Sequence, residues 1–296
     1  MNNIQSSLSR AIFIMLVAIF LFDIMGAIIK YLGTRYPVQQ LSVYRNLFGV
    51  IPSIIILYFS KQWYSDGRPI YIRQWRLGLL RGCAGTFAQF CFYLSLVKLE
   101  FATASAIAFC GPLFITVLSI PLLKHRVGYW RWSAVAIGFC GVVLVMKPTS
   151  DVFTLYALLP ICAALGYATI SVSSRLFDES LPTAVINIYA VAGTLVSSAL
   201  VLFTTSEYVT VVSTQDWLLL LAMGSAGGAA VFCLIYAYRL TEPSNLSPFE
   251  YFGIPMSFII GWVIFNEAPF DRLIPGVFLI IAGGLVIVWR ERALGK

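Results

Sequence analysis

Charge is what this chain has least of. Of 296 residues, 11% are charged and 59% hydrophobic, against about a quarter charged in soluble proteins. So little charge could not solvate the surface of a soluble chain of this length, which excludes a soluble enzyme or binding module. Histidine occurs once, as His125 beside Lys124 and Arg126. No Ser-His-Asp or Cys-His arrangement can be assembled around it inside a membrane. No GxxxxGK[ST] segment is present, so the chain is not its own ATP-driven pump. The six cysteines, Cys83, Cys91, Cys110, Cys140, Cys162 and Cys233, lie in apolar runs without CxxC or zinc-finger spacing. They read as small packing residues, and neither disulfide, metal nor cofactor is expected. The net charge of +7 is spread over short connections, with no basic patch interleaved with aromatics, which argues against nucleic acid as a partner.

Apolar runs of about twenty residues are what the chain has instead. Ten are found, over roughly 11–32, 40–60, 76–97, 101–123, 129–146, 154–175, 182–204, 216–238, 245–265 and 272–289. Each suits a helix crossing about 30 Å of hydrocarbon. The fold expected is an all-α integral membrane protein with ten transmembrane helices. The first run is too long for a signal peptide and shows no small-residue cleavage site, so it counts as the first helix. With the N-terminus inside, thirteen Lys/Arg fall on the cytoplasmic side and five (Lys30, Arg35, Lys98, Lys147, Arg272) outside. That bias sets both termini in the cytoplasm.

The chain also repeats itself. A shift of 143 residues lays Tyr93–Leu118 over Tyr236–Gly261, with Phe109 on Phe252 and Gly141 on Gly284. The offset is 145 at Pro37 and Pro182, and 142 at Gly82 and Gly224. The letters match weakly but the hydropathy blocks match throughout, giving two five-helix units, 1–150 and 151–296. Five is odd, so the second copy enters the bilayer from the opposite face. Inverted repeats are the usual construction of alternating-access carriers, with the solute site where the halves meet. Gly78-Leu-Leu-Arg-Gly82 and Gly224-Ser-Ala-Gly-Gly228 place a GxxxG close-packing signal in the third helix of each copy.

The stretch Thr241–Glu267 is apolar yet holds Pro248, Glu250 and Pro255. A carboxylate in hydrocarbon is costly and should face protein or water, and proline loosens the helix around it. A broken, charged, apolar helix suits a mid-membrane site; a kinked packing helix with Glu250 at an interface is the plainer alternative. Pro112, Pro248 and Pro255 are hinge candidates. The other ionisable residues within the runs are Asp23, Arg45 and Arg81, with Lys30 and Glu100 near helix ends. Asp23 sits close to mid-bilayer. Asp23 and Arg81 either pair to hold helices together or line a cavity, and Arg45 either lines it or snorkels. Phe87, Phe90, Phe92 and Tyr93 accompany Gln89, and Phe249, Tyr251 and Phe252 flank Glu250. Such aromatics ordinarily pack or face lipid, but beside few polar groups they suit a planar ring with polar edges. The candidate binding set is Asp23, Arg81, Gln89, Phe90, Tyr93, Tyr167, Tyr236, Phe249 and Glu250.

Over nearly its whole length the chain resembles the drug/metabolite transporter superfamily, in its EamA-type members. The resemblance is carried by Arg45, LLRG (Leu79–Gly82), ATASAIAFCGPLF (Ala102–Phe114), TEPSNLSPFEYF (Thr241–Phe252), FNEAP (Phe265–Pro269) and glycine-rich fifth and tenth helices. It implies a ten-helix permease of the cytoplasmic membrane with a cavity lined by helices other than the fifth and tenth. Similar proteins move amino acids, nucleobases, S-adenosylmethionine or riboflavin. Aromatic density beside few charges puts uptake of riboflavin first. S-adenosylmethionine is next, with Asp23 and Glu250 as counter-charges, and export of an amino acid or other metabolite third. Glu250 is a candidate carrier of a coupling proton; facilitated diffusion fits equally. The family's acidic residue at the end of the fourth helix is Glu267 in the second copy, but Lys124-His125-Arg126 stands there in the first. A non-transporting scaffold or sensor is the reading from another class.

Overall fold

The computed structural model describes residues 2–59, 63–64, 67, 75–111, 113–115, 117–118, 129–146, 154–173, 183–205, 208–240, 249–267 and 273–293. Among them the chain is helical, without strands. The ten main helices are α1 (Asn2–Leu32), α2 (Val38–Phe59), α3 (Trp75–Lys98), α4 (Phe101–Ala108), α5 (Tyr129–Met146), α6 (Leu159–Ser173), α7 (Thr183–Thr205), α8 (Thr214–Leu240), α9 (Gly253–Phe265) and α10 (Gly276–Ala293). They fall on the ten apolar runs. A 3₁₀ turn, Leu155–Leu158, leads into α6, started by the Thr154 side chain accepting from the Tyr156 N–H. Within α1, α2 and α8, the stretches Ser9–Leu32, Val38–Phe59 and Thr214–Leu234 are long and apolar enough to cross a bilayer.

Packing follows the repeat. Helix α1 lies along α8 as α6 lies along α3, and α2 lies on α8 as α7 lies on α3. The pairs α2 with α7, α4 with α9 and α5 with α10 join equivalent helices of the two copies. Every one of these contacts is its own counterpart, or has one, when copies are exchanged. Both GxxxG motifs serve the closest approaches. A Cβ on Gly82 would lie 2.5 Å from the Gly193 carbonyl carbon, and one on Gly228 would lie 2.6 Å from the Gly49 oxygen. Only glycine lets α3 meet α7, and α8 meet α2, backbone to backbone.

Helices four and nine are shorter than their apolar runs because each is broken, at equivalent places. Helix α4 ends at Ala108, and Phe109 and Cys110 form a turn in which the Cys110 N–H reaches only to the Ile107 carbonyl. Pro112, outside the described residues, has no N–H with which to continue the ladder. In the second copy Tyr251 and Phe252 form the turn, and the Tyr251 carbonyl receives the Ile254 N–H at 3.1 Å because Pro255 has none to give. Pro255 therefore stands in the first turn of α9, where a missing donor is tolerated. Its helix begins cleanly instead of kinking mid-course. Pro248 also lies outside the described residues. The two breaks touch, the Phe109 ring resting on Gly253 and lying 6.5 Å from the Tyr251 ring.

Candidate functional site

Helix α2 carries polar residues at helical spacing, Ser42, Arg45, Asn46 and then Gly49, so one face of an otherwise apolar helix is polar. That face meets Gln89 on α3. Ser42 Oγ donates to Gln89 Oε1 at 2.7 Å and Asn46 Nδ2 to the same oxygen at 3.0 Å. Gln89 Nε2 returns a bond to Asn46 Oδ1 at 3.3 Å. Asn46 Oδ1 also takes Arg45 Nη1 at 3.0 Å. All four side chains belong to buried residues. Arg45 does not snorkel: it is 8% exposed and its Nε has no hydrogen-bond partner. Its guanidinium lies over Gly227 of α8, where a Cβ would come 3.1 Å from Nε and 2.6 Å from Met25 Sδ. The phenols of Tyr93 and Tyr167 are within its electrostatic reach, and within each other's. Tyr93 is 1% exposed with an unpartnered hydroxyl, whereas Tyr167 shows 38% of its surface.

Asp23 sits at the same depth. Helices α1 and α3 run the same way, and Gly26 of α1 faces Leu96 of α3. Three residues earlier on each, about 4.5 Å down the axis, come Asp23 and Tyr93. The carboxylate is 8% exposed and Oδ2 is without a partner. No described cation pairs with it. Pairing with Arg81 is ruled out, since Arg81 lies twelve residues before Tyr93, about 18 Å away along α3. There α3 meets α7. Phe90 borders a crevice of about 10 Å³ with Gln39, Ser42, Thr86, Ser198 and Val201, room for one water.

The candidates around helices eight and nine lie elsewhere. Tyr236 stacks on Phe232 and takes the Arg10 guanidinium at 6.0 Å, near the start of α1. Phe249 packs with Ala11, Met15, Ile19 and Ala237. Thirteen residues of α1, about 20 Å, separate Arg10 from Asp23. Glu250 is half-buried one residue before the break in helix nine. The structure thus brings together Gln89, Tyr93 and Tyr167 with Arg45, sets Asp23 at the depth of Tyr93, and leaves Arg81, Tyr236 and Phe249 apart. Ser42 and Asn46 complete the cluster. They went unnoticed in sequence because uncharged polar residues are common in membrane helices, although their spacing from Arg45 and Gly49 marks the face.

One end of the bundle is tied by polar contacts between the copies. Lys30, in the last turn of α1, meets Glu267 just after α9, with Nζ to Oε1 at 2.7 Å. Lys30 Nζ also donates to the Leu99 carbonyl at 2.6 Å, and Glu267 Oε2 accepts the Phe101 N–H at the start of α4 at 2.7 Å. Asn266, left-handed at φ 55°, turns the chain so that Glu267 reaches back. Beside this, Arg35 and Tyr36 both bond Asp216, at 3.0 and 2.7 Å. Gln40 exchanges two bonds with the backbone of Val209, and Tyr44 meets Tyr208 at 2.8 Å. The bond to Asp216, then burial, holds the Tyr36 hydroxyl above the ordinary phenol range.

The EamA-like transporter family profile matches the chain twice, over residues 9–147 and 154–289. An S-adenosylmethionine uptake transporter of Rickettsia prowazekii is 25% identical over 293 residues, covering 99% of this chain and 97% of the relative. A pseudopaline exporter of Pseudomonas aeruginosa is 26% identical over 295 residues, covering 98% and 97%. A riboflavin transporter of Brucella anthropi is 29% identical over 194 residues, covering 64% and 68%.

Proposed function

Since the chain belongs to the EamA-like transporter family and is a multi-pass membrane transporter of a small solute, not an enzyme, we propose that it takes up S-adenosylmethionine by alternating access. The solute binds among Asp23, Gln89, Tyr93, Tyr167 and Arg45. The observation that carries this reading is Asp23, a carboxylate buried with Oδ2 unpartnered. Burying a charge without a partner costs several kcal/mol, and a solute cation repays it. S-adenosylmethionine brings a sulfonium and an ammonium, and its adenine suits the tyrosine rings. Riboflavin can offer Asp23 hydrogen-bond donors but no cation, so it takes second place here despite the aromatic surroundings.

Alternating access is supported by the family, by the interchangeable packing of the copies and by the meeting of the two broken helices. The end tied by Lys30 and Glu267 faces outward and both termini lie inside, in the inner membrane, as the distribution of Lys and Arg indicates. The unit boundary falls near residue 150, between the two stretches the family profile matches. Glu250 and the hinge prolines Pro112, Pro248 and Pro255 act in the second step, when the inner end opens.

The test is uptake of radiolabelled S-adenosylmethionine and, separately, riboflavin, by cells that import neither, with and without the chain. Saturable S-adenosylmethionine uptake, lost in Asp23→Asn with the protein still in the membrane, is expected. Riboflavin uptake alone would put the vitamin first. Uptake of S-adenosylmethionine undiminished by Asp23→Asn would sink the site.

A further inference from the structure

A second buried charge lies in the cluster, and among the described residues no carboxylate answers it. The Arg45 residue is more than nine-tenths buried. Its described contacts are one hydrogen bond, Nη1 to Asn46 Oδ1, and two glycines, with Nε unpartnered. Asn46 is itself saturated by Ser42 and Gln89, so its amide supplies an acceptor but no charge. No described carboxylate forms an ion pair with Arg45, and none lies on the glycine face it covers. Gly227 and Gly49 set no side chain against that face, and the guanidinium packs on them beside Met25: a Cβ on Gly227 would stand 3.1 Å from Nε, 3.4 Å from Nη2 and 2.6 Å from Met25 Sδ, and one on Gly49 would stand 3.9 Å from Nη1. Nε and Nη2 are the fork that binds a carboxylate through two parallel hydrogen bonds.

We infer that Arg45 is the specificity residue for a carboxylate on the transported solute, held through Nε and Nη2 once α8, whose Gly227 puts no side chain over them, moves off the guanidinium. The inference rests on the carrier reading but not on S-adenosylmethionine being the solute. It restricts the substrate class to solutes bearing a carboxylate, amino-acid-like ones above all when Asp23 takes the cationic group. The geometry explains the residue types. Lysine would place a point charge where a planar fork is needed, and alanine in place of Gly227 would push against Met25 Sδ and Arg45 Nε together.

The test uses twin ligands on the purified full-length protein in lipid nanodiscs. Each pair is an amino acid and the amine left by its decarboxylation: S-adenosylmethionine, methionine, phenylalanine and tryptophan with their amines. Apparent affinities come from concentration-dependent thermal shifts. The carboxylate member of every pair that binds should be at least tenfold tighter than its twin. That ratio should fall to about one in Arg45→Gln and lie between in Arg45→Lys. Asn46→Asp offers Arg45 a carboxylate of its own, and should raise the melting temperature without ligand while weakening carboxylate binding at least tenfold. It serves as the decisive variant if Arg45→Gln does not fold. Equal affinities within pairs, a ratio untouched by these variants, or no binding by any amino acid would overturn the inference. A silent S-adenosylmethionine pair beside another pair that behaves as stated would refute the proposed solute alone and support the role of Arg45.

Discussion

Replacing Glu267 with glutamine is the perturbation that tests the closed end most sharply. The pair it breaks is short, 2.7 Å, and its side chains are only 11% and 23% exposed. Exposed pairs contribute about 0–1 kcal/mol, and removing one member of a fully buried pair costs about 3–5 kcal/mol. This pair lies between. Glu267 also holds the Phe101 N–H at the positive end of α4, an arrangement adding about 0.3–1 kcal/mol. Together these give about 2 kcal/mol, or roughly 30-fold in the ratio of closed to open at this end. The assay is labelling of a single cysteine, Ala104→Cys, fully buried on α4, in a background without the six native ones, by a membrane-impermeant thiol reagent. Labelling should be roughly 30-fold faster with Glu267→Gln. A charge swap, Lys30→Glu with Glu267→Lys, should not restore protection. It would set a carboxylate against the Leu99 carbonyl and an ammonium against the Phe101 N–H, the two backbone groups that now bind the opposite charges. Unchanged labelling in Glu267→Gln, or protection regained in the swap, would refute the reasoning.

Gly82→Ala forces its Cβ onto the backbone of Gly193 and should destabilise by about 1–3 kcal/mol, as overpacking does, lowering the melting temperature in detergent. Gly111→Ala, which meets nothing within 4 Å, is the control and should melt as the parent does. Tyr36 titrates higher folded than the ordinary phenol value of 10.0. Its contribution to stability is therefore complete below pH 10 and is lost as pH rises through the folded value. Alkaline melts should fall in that window, and fall less in Tyr36→Phe.

How much was legible in sequence divides along physical lines. Helix positions and the repeat were readable because a bilayer demands long apolar runs, and because GxxxG reports a backbone contact that only small residues permit. The break in helix nine was expected from its prolines, but not its place. Pro255 starts a helix instead of kinking one, since hydrogen bonding is decided residue by residue at Tyr251 and Ile254. Asp23 and Gln89 were singled out by polarity in an apolar setting, which survives without coordinates. Arg45 stood open between cavity and interface. Depth and direction are tertiary facts, settled by Gly227 and Met25 on other helices. Tyr236 and Phe249 were grouped with Gln89 through residue type alone, and the structure sets them toward the opposite end, beside Arg10 and Ala11.

The two ends of the carrier are not chemically alike. By the offsets that relate the copies, 145 near the start and 143 further on, Lys30 corresponds to Arg175 and Glu267 to Lys124. Both counterparts lie outside the described residues. Two cations cannot build the latch that Lys30 and Glu267 build; placed together they repel. Under the inverted repeat proposed above, the sequence thus offers an ion pair for one end and two cations for its counterpart. Under the alternating access proposed above, a symmetric carrier would divide its time between both closures, whereas the pair of Lys30 with Glu267 would favour the closure that includes it. It follows that weakening the latch acts on one side of the membrane. In Glu267→Gln the added labelling of Ala104→Cys should appear with reagent on the Lys30 side alone, and reagent on the side of the termini should gain nothing, because no ion pair there has been lost.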